Sequence, residues 1–273
     1  MDKEQFVIDG FKNRFLGDDG AVVGRQVFSK DLFCEGTHFL REWMSLDEIG
    51  YKAMVVNFSD AIAMNAKPKF ALLGLGLPKT ITNAEISELS AGIKRACDEY
   101  SVQIIGGDTI KSDKIFISVS IVGELMGKPI LRSGLKNGDL IAYTGKLGSS
   151  IRSLNSLLRK GEASKNSRFF APILRNEFFY KSAKFMRSAM DISDGVEQDL
   201  PKLCKSAKLG FKFIKKPLKY ELKSGEEYEA LFSFAPKNLS AIRRVAAKTR
   251  TKITIFAKAV KGRCKDNVRK HHF

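Results

Sequence analysis

The sequence contains little that would place it outside the ordinary globular proteins. Its four cysteines lie far apart and form no C-x-x-C pair, which argues against a zinc knuckle or a disulfide framework and predicts reduced thiols. The longest apolar run, 70–77, is much shorter than the roughly 20 residues of a membrane-spanning helix. The N-terminus has no apolar core of signal-peptide length. We therefore predict a soluble, cytoplasmic protein that does not contact a membrane.

The common phosphate-binding and nucleophile motifs are also missing. There is no G-x-x-x-x-G-K-[ST] loop and no G-x-G-x-x-G after a strand, so the sequence does not fit a P-loop or Rossmann enzyme. Of its three histidines, His271 and His272 lie at the C-terminus, and no Ser-His-Asp or Cys-His arrangement can be built from them. Taken alone, His38 is predicted to be a surface or partly packed residue.

The chain is long enough and apolar enough for one large or two ordinary domains, with 273 residues of which 44% are hydrophobic and 28% charged. Its positive charge is confined to one half. Residues 1–130 contain 15 Lys and Arg against 18 Asp and Glu, a net charge of −3, while residues 131–273 contain 32 against 12, a net charge of +20. Such a field attracts phosphates of any kind, so nucleotides, phosphorylated metabolites and RNA all remain open on charge alone.

Residues 1–130 alternate between strand-like and helix-like segments. Ser45 with Glu48, and Thr82 with Glu85, form capping-box patterns that each predict a helix. Residues of high strand propensity occupy 26–33, 70–77, 102–105 and 115–122. We expect the third of these strands to stop at the glycines that follow it. The fourth alternates serine with isoleucine and valine, which predicts a strand with two dissimilar faces.

The second half mixes helices and strands in the same way. Turn residues between 127 and 139 place a boundary near residue 130, where the charge also changes. Helical patterns follow at 149–160, 172–188 and 195–207, and strand patterns at 140–144, 211–214, 229–235 and 253–257. The sequence therefore predicts two α+β domains, 1–130 and 131–273.

Aspartates recur beside glycine or serine at the predicted ends of elements. Five segments share this feature: 17–20, 29–31, 59–60, 106–108 and 191–195. Carboxylates gathered from several such ends are the oxygen ligands that Mg²⁺ takes, together with water and phosphate oxygens. One segment alone is more typical of a turn or a helix cap. Five together predict a metal and nucleotide site.

These segments, with others between them, resemble the thiamine-monophosphate kinase family over nearly the whole chain. The matching residues are Gly17-Asp18-Asp19, Asp31 to Phe39 with Glu35-Gly36-x-His38-Phe39, Lys52 to Pro68 with Asn57-x-Ser59-Asp60-x-x-Ala63-Met64, Gly106-Gly107-Asp108-Thr109, Arg132-Ser133-Gly134, Asp191-x-Ser193-Asp194-Gly195 and Gly225 to Glu229. The aspartate-rich segments are shared with the wider superfamily of aminoimidazole ribonucleotide synthetase. The E-G-x-H-F and N-x-S-D-x-x-A-M segments point to the thiamine branch.

The resemblance implies a two-domain, α+β fold similar to aminoimidazole ribonucleotide synthetase. In that fold an N-terminal ATP- and metal-binding half pairs its strands with a second chain, and a C-terminal half completes the nucleotide and substrate site. It also implies a homodimer that uses ATP and Mg²⁺ to phosphorylate thiamine monophosphate to thiamine diphosphate by direct in-line transfer. Because the second pKa of a phosphate monoester is about 6, the acceptor needs no strong general base and the enzyme needs only to position two phosphates.

Site residues follow from the resemblance, position by position. Metal ligands are expected at Asp18, Ser29, Asp31, Asp60, Asp108, Asp191 and Asp194. ATP contacts are expected at Gly107, Asp108, Arg132 and Ser193, and thiamine-phosphate contacts at His38 and Glu226.

Several positions depart from the family pattern. Ser224 and Glu227 stand where glycine and aspartate are usual, so Glu227 is expected to alter the substrate pocket. Lys30 replaces a small hydroxyl residue and Lys111 an arginine. The segment Leu147 to Ser150 lacks an aspartate often found there, and no residue clearly matches the family's C-terminal aromatic, although Phe273 lies close.

Two alternatives remain open from the sequence. One keeps the fold and ATP but changes the acceptor, as in selenophosphate synthetase or aminoimidazole ribonucleotide synthetase. Selenophosphate synthetase is disfavoured because 1–20 lacks the reactive cysteine that enzyme uses. The other treats the basic half as an RNA-binding module. Its lysines lie within helical patterns and no RNP-type aromatic motif accompanies them, so we expect a solvated lysine-rich face and no nucleic-acid partner.

Overall fold

The computed structural model describes residues 3–262 and residue 264 of the chain. Within them, ten strands form two five-stranded sheets. The helices are α1 (Lys3–Gly10), α2 (Leu46–Ala63), α3 (Asn83–Tyr100), α4 (Ser149–Leu158), α5 (Asn176–Ser182), α6 (Val196–Ser206), α7 (Lys219–Leu222) and α8 (Leu239–Lys248). The strands are β1 (Ala21–Val23), β2 (Gln26–Cys34), β3 (Ala66–Leu77), β4 (Gln103–Lys111), β5 (Phe116–Leu125), β6 (Leu140–Thr144), β7 (Met186–Asp191), β8 (Gly210–Phe213), β9 (Ala230–Phe234) and β10 (Ile253–Val260).

The first sheet has the order β1-β2-β5-β3-β4, and β3 and β4 are its parallel pair. Strand β2 alternates between its two faces, as its period of two residues requires. Val27 and Phe33 are buried towards α2, and Ser29 and Asp31 share that face, while Leu32 is exposed on the opposite one. The strand pattern therefore aims Ser29 and Asp31 at α2.

Helix α2 is the central element of the first half. It begins at a capping box in which Ser45 accepts a hydrogen bond from the Glu48 backbone, and it is buried from Ile49 to Ala63. Helix α3 begins at the second capping box, at Thr82, as predicted. The helices approach closely because Gly92 has no side chain: a Cβ there would lie 1.9 Å from the Asp47 carbonyl oxygen.

The second sheet has the order β7-β9-β6-β10-β8 with antiparallel pairs throughout. Strand β9 pairs with β7 so that Ala230 lies opposite Asp191. The hydrophobic core is continuous from α2 and the first sheet to α5 and β9. This continuity brings α2 against the end of β7, where the acidic residues of both halves meet.

Two predicted elements differ from the structure. The helix predicted over 172–188 ends at Ser182, and β7 begins at Met186. Methionine, arginine and alanine in β7 favour a helix by intrinsic propensity, and pairing with β9 overrides that preference. Strand β4 does not stop at its glycines but continues to Lys111. Gly107 is needed within it, since a Cβ there would lie 1.8 Å from the Leu73 carbonyl oxygen.

In the part of the chain that is described, no helix is both long and apolar enough to cross a membrane. His271, His272 and the expected aromatic at Phe273 lie outside the described residues.

Candidate active site

Three carboxylates from distant parts of the sequence converge at the junction of the two halves. Asp19 precedes β1, Asp60 lies in the last turn of α2, and Asp191 ends β7. One carboxylate oxygen from each lies within 4.8 Å of the other two. Asp60 is 9% exposed and Asp191 6% exposed. The carboxylates are therefore crowded together in a place that water reaches poorly.

This crowding disfavours the charged forms. Burial, followed by repulsion from neighbouring carboxylates, raises the pKa of Asp60 and of Asp191 well above the ordinary value. Burial also raises the pKa of Asp31 to about 6, with further contributions from Asp19 and Asp194. Several buried carboxylates with raised pKa values form an arrangement that a bound cation would relieve.

Orphaned oxygen atoms indicate where such a cation fits. Asp19 Oδ2 and Ser29 Oγ are buried and have no hydrogen-bond partner. Buried polar atoms are nearly always satisfied by protein, water or an ion. The oxygen atoms that could bind a metal here belong to carboxylates and a hydroxyl group. These ligands suit a hard cation such as Mg²⁺ and do not suit a thiophilic metal.

Neighbouring groups hold the carboxylates in place. Ser59 Oγ donates to Asp191 Oδ2 at 2.6 Å. Asn57 Oδ1 accepts the backbone N–H of Asp31 at 2.9 Å, while its own amide donates to the Ala53 carbonyl at 2.8 Å. Helix α2 thus orients the acidic residues of β2 and β7 as well as supplying Asp60.

Arg132 connects the first loop to the second half. Its guanidinium pairs with Asp19, and its backbone N–H donates to Asp18 Oδ1 at 2.6 Å. Burial opposes its charged form, but the adjacent Asp19 raises the pKa of Arg132 overall. The predicted phosphate contact therefore lies beside the carboxylate cluster, within reach of an anion brought there by a metal.

Asp194 belongs to a second acidic group at the N-terminal end of α6, which it precedes. Lys202 pairs with Asp194 and also lies 3.3 Å from Asp199 Oδ1. Asp199 is fully buried and accepts the backbone N–H of Asp194 at 3.1 Å. Burial raises the pKa of Asp199 to about 7. Asp199 and Lys202 fix the loop that contains Asp194 and half-buried Ser193.

The two predicted substrate contacts lie at the N-terminal end of α2. Glu226 Oε2 is 2.7 Å from Lys52 Nζ. His38 Nδ1 accepts the backbone N–H of Cys34 at 3.0 Å, and its ring stacks on Phe33 with 5.2 Å between centroids. Since Nδ1 is an acceptor, the neutral imidazole has its proton on Nε2.

Gly107 and Asp108 do not join this cluster within one chain. They lie on β4, an edge strand whose residues are all exposed. Across the sheet, Asp31 of β2 pairs with Val119 of β5, Val119 pairs with Leu73 of β3, and Leu73 pairs with Gly107 of β4. With strands spaced by about 4.8 Å, Gly107 is about 14 Å from Asp31.

Among the described residues, the family departures at Ser224, Glu227 and Leu147 to Ser150 meet at the N-terminus of α4. Glu227 is fully buried and accepts backbone N–H groups of Gly148 at 2.7 Å and Ser150 at 3.1 Å. Ser224 Oγ donates to it at 2.5 Å, and Ser149 Oγ at 3.3 Å. Glu227 therefore caps the N-terminus of α4, where a negative charge is favoured. Its effect on the substrate pocket, next to the predicted contact Glu226, stays a prediction.

The other departures lie on the open side of the first sheet. Lys30 Nζ donates to Ser118 Oγ at 2.5 Å, on the face opposite Asp31. Lys111 is exposed at the end of β4. Neither side chain is directed at the acidic cluster.

The family's motif includes both Asp18 and Asp19 but places the expected ligand at Asp18, and it gives Lys52, Asp199 and Lys202 no role in the site. Only the direction of its side chain distinguishes Asp19 from Asp18. Asp199 and Lys202 carried a usable signal, because opposite charges three residues apart on a helix lie on one face.

Comparisons with known proteins identify the family. Residues 17–125 match the family described as AIR synthase related protein, N-terminal domain. The structure of AaThiL complexed with AMPPCP and TMP superposes with a TM-score of 0.86 at 27% identity, covering 99% of this chain and 94% of that one. The fold and its carboxylate cluster thus define an α+β protein of the AIR synthase-related class.

Sequence relatives narrow the assignment. The thiamine-monophosphate kinase of Aquifex aeolicus strain VF5 is 33% identical in an alignment of length 250 that covers 81% of each chain. That of Buchnera aphidicola subsp. Schizaphis graminum strain Sg is 33% identical in an alignment of length 270 that covers 88% of this chain and 82% of the relative. The chain belongs to the thiamine-monophosphate kinase family, and it is an enzyme of the kinase class.

Proposed function

We propose that this chain transfers the γ-phosphoryl group of ATP directly, in line, onto thiamine monophosphate in a Mg²⁺-dependent reaction. The observation that carries the proposal is the cluster of Asp19, Asp60 and Asp191, whose oxygens lie within 4.8 Å of one another. Family membership and the AMPPCP and TMP bound to AaThiL support the choice of substrates.

In this proposal the acidic residues of both halves would hold the metal ions. The set comprises Asp18, Asp19, Ser29, Asp31, Asp60, Asp108, Asp191 and Asp194. Bound Mg²⁺ supplies charge neutralisation for the two phosphates. Arg132 adds a charge-assisted donor to phosphate, and Gly107, Asp108 and Ser193 complete the nucleotide contacts. No side chain is assigned as a general base, since the acceptor phosphate is already largely ionised.

The substrate end of the cleft is assigned to His38 and Glu226. We expect His38→Asn to raise the KM for thiamine monophosphate about tenfold, because the neutral imidazole offers an Nε2–H donor and a lost donor to a charged group costs about that factor. Asparagine retains an acceptor for the Cys34 N–H, so the loop is preserved. Steady-state kinetics with each substrate varied in turn would measure the effect. An equal rise in the KM for ATP would remove His38 from the substrate site.

We also propose that residues 1–130 form an ATP/metal-binding and dimerisation domain, and that residues 131–273 complete the site. The face of the first sheet opposite α2 supports a homodimer. Exposed apolar side chains cover it and the edge strand: Phe28, Leu32, Phe70, Leu72, Ile104, Ile105 and Ile110. An apolar patch of this extent on a sheet with an unpaired edge is typical of an interface.

A dimer gives Gly107 and Asp108 a way to reach a carboxylate cluster, namely that of the partner. If they act in trans, mixing inactive Asp60→Ala and Asp108→Ala chains restores activity. Random pairing of equal amounts gives half heterodimers, each with one intact site, so about a quarter of the sites should be active. Co-refolding followed by a turnover assay would measure this. A mixture that stays inactive would show that Asp108 acts in its own chain.

The function itself is tested by incubating the chain with ATP, Mg²⁺ and thiamine monophosphate and separating the products by chromatography. Thiamine without a phosphate serves as the control acceptor. Thiamine diphosphate formed from the monophosphate alone is the expected result. Bound ATP and Mg²⁺ without product would retain the nucleotide site and contradict the proposed acceptor.

A further inference from the structure

Lys52 has an unusual position for a lysine. Its side chain is fully buried in α2, its Nζ lies 2.7 Å from Glu226 Oε2, and the Phe169 ring centroid is 4.4 Å away. The Phe33 ring centroid lies 5.6 Å from the same nitrogen. An ammonium group packed between aromatic rings thus has a carboxylate of the substrate end of the cleft as its ionic partner.

Stability is a weak explanation for this pair. Removing an ammonium group and a carboxylate from water is costly, and apolar side chains of similar volume often stabilise a core as well or better. A methionine would fill nearly the same space between the aromatic rings. We therefore look for a role of the Lys52–Glu226 pair in positioning a side chain.

The backbone at Glu226 is held as firmly as its side chain. Its φ is +53°, which is uncommon for a residue with a Cβ, and its N–H donates to the Ser193 carbonyl oxygen at 2.7 Å. Its side chain is 25% exposed, so the carboxylate lies at the border between the core and the cleft. The backbone of Glu226 is thus held by Ser193, and its carboxylate is held by Lys52.

We propose that Lys52 is a positioning residue that holds the Glu226 carboxylate in place for thiamine monophosphate. The proposal rests on the proposed function, in which Glu226 contacts that substrate. Lys52 engages Oε2 from the core side, which presents Oε1 to the cleft, where it suits a cationic or N–H-bearing ring of the substrate. Without Lys52 the carboxylate would turn towards water, and part of the binding energy would be spent on ordering it again.

The test compares Lys52→Met, Glu226→Gln and the double variant, with Lys94→Met as the matched control. Lys94 forms an exposed ion pair with Asp98 away from the cleft. We expect Lys52→Met to raise the KM for thiamine monophosphate about tenfold and to leave kcat and the KM for ATP within about twofold. If Lys52 acts through Glu226, the double variant should be no more than about twofold worse than Lys52→Met alone.

Other outcomes would overturn the proposal. Additive losses in the double variant would mean that Lys52 contacts the substrate itself. A lower kcat with both KM values unchanged would indicate a purely structural role. Glu226→Gln leaves a buried ammonium group with a neutral partner, so, should it fail to fold, the comparison of Lys52→Met with the double variant still decides.

Measurements on the unmutated parent chain distinguish a failure of this proposal from a failure of the proposed function. If the parent forms no thiamine diphosphate, the proposed function fails, and calorimetric titration with thiamine monophosphate then tests the positioning role. A Kd raised by Lys52→Met and not by Lys94→Met would support it. Absence of binding to the parent would overturn it, because Glu226 would have no such substrate to meet.

Discussion

Asp60→Asn and Asp191→Asn are each expected to lower turnover at least about 10³-fold, because a metal that neutralises transferring phosphates contributes several kcal/mol to the transition state. Each substitution removes a charged ligand and leaves an isosteric amide. The exposed Asp113→Asn is the matched control and should retain full activity. Single-turnover assays at saturating ATP and Mg²⁺ would measure the loss.

The same variants should be folded and, without metal, more thermally stable than the parent. Asp60 and Asp191 are buried and repel each other and their neighbours, so removing one charge relieves repulsion, as expected where function is maintained at the expense of stability. Mg²⁺ should raise the Tm of the parent through binding to the folded state, and should raise it less in the variants. Retained turnover in both variants with an unchanged response to Mg²⁺ would contradict the metal-site assignment.

Glu229→Ala is expected to have the largest effect on folding. Glu229 is fully buried and accepts two hydrogen bonds from Arg175, both at 3.0 Å. It also accepts the Thr144 hydroxyl at 2.7 Å and lies 3.4 Å from Arg168. Removing the shared carboxylate leaves two mostly buried guanidinium groups without it, which costs about 3–5 kcal/mol.

In thermal unfolding this corresponds to a Tm lower by roughly 10 °C, since about 1 kcal/mol shifts Tm by 2–4 °C in a chain of this size. The control is Glu177→Ala, whose exposed ion pair with Lys181 is of the kind that contributes little. A Glu229→Ala variant as stable as that control would contradict the assignment of Glu229 as the shared partner of the arginines.

Activity should also fall in Glu229→Ala, because the backbone of Glu229 is hydrogen-bonded to the segment that follows Asp191, a proposed metal ligand. The Ile192 N–H donates to the Glu229 carbonyl at 2.9 Å, and the Tyr228 N–H donates to the Ile192 carbonyl at 2.9 Å. These bonds fix the backbone that follows Asp191. Loss of the arginine network would therefore disturb a predicted metal ligand that Glu229 does not touch.

The local elements of this protein were determined largely by short-range sequence patterns. The two capping boxes at Ser45 and Thr82 begin α2 and α3 where predicted, because a capping box satisfies backbone donors within four residues. Strand β6 spans Leu140–Thr144 as predicted. The alternation of β5 also predicted its two faces, since Ile117, Val119 and Ile121 are fully buried.

Which side chains from distant segments come into contact depends on the tertiary structure. Asp18 and Asp19 are adjacent, yet Asp19 enters the carboxylate cluster while Asp18 accepts the Arg132 backbone N–H. Glu227 follows the predicted substrate contact Glu226, but its carboxylate caps α4. The motifs therefore contain the segments that form the carboxylate cluster, without giving the direction of each side chain.

The difference lies in how far apart in the sequence the interacting residues are. Caps, turns and strand alternation depend on neighbours a few residues away, so the sequence alone is enough to predict most of the elements and, through the family's motifs, the kinase class. The direction of Asp19, the burial of Lys52 beside Glu226 and the remoteness of Asp108 depend on strand order and on contacts between residues more than a hundred positions apart. Those contacts exist only after both sheets have packed against α2.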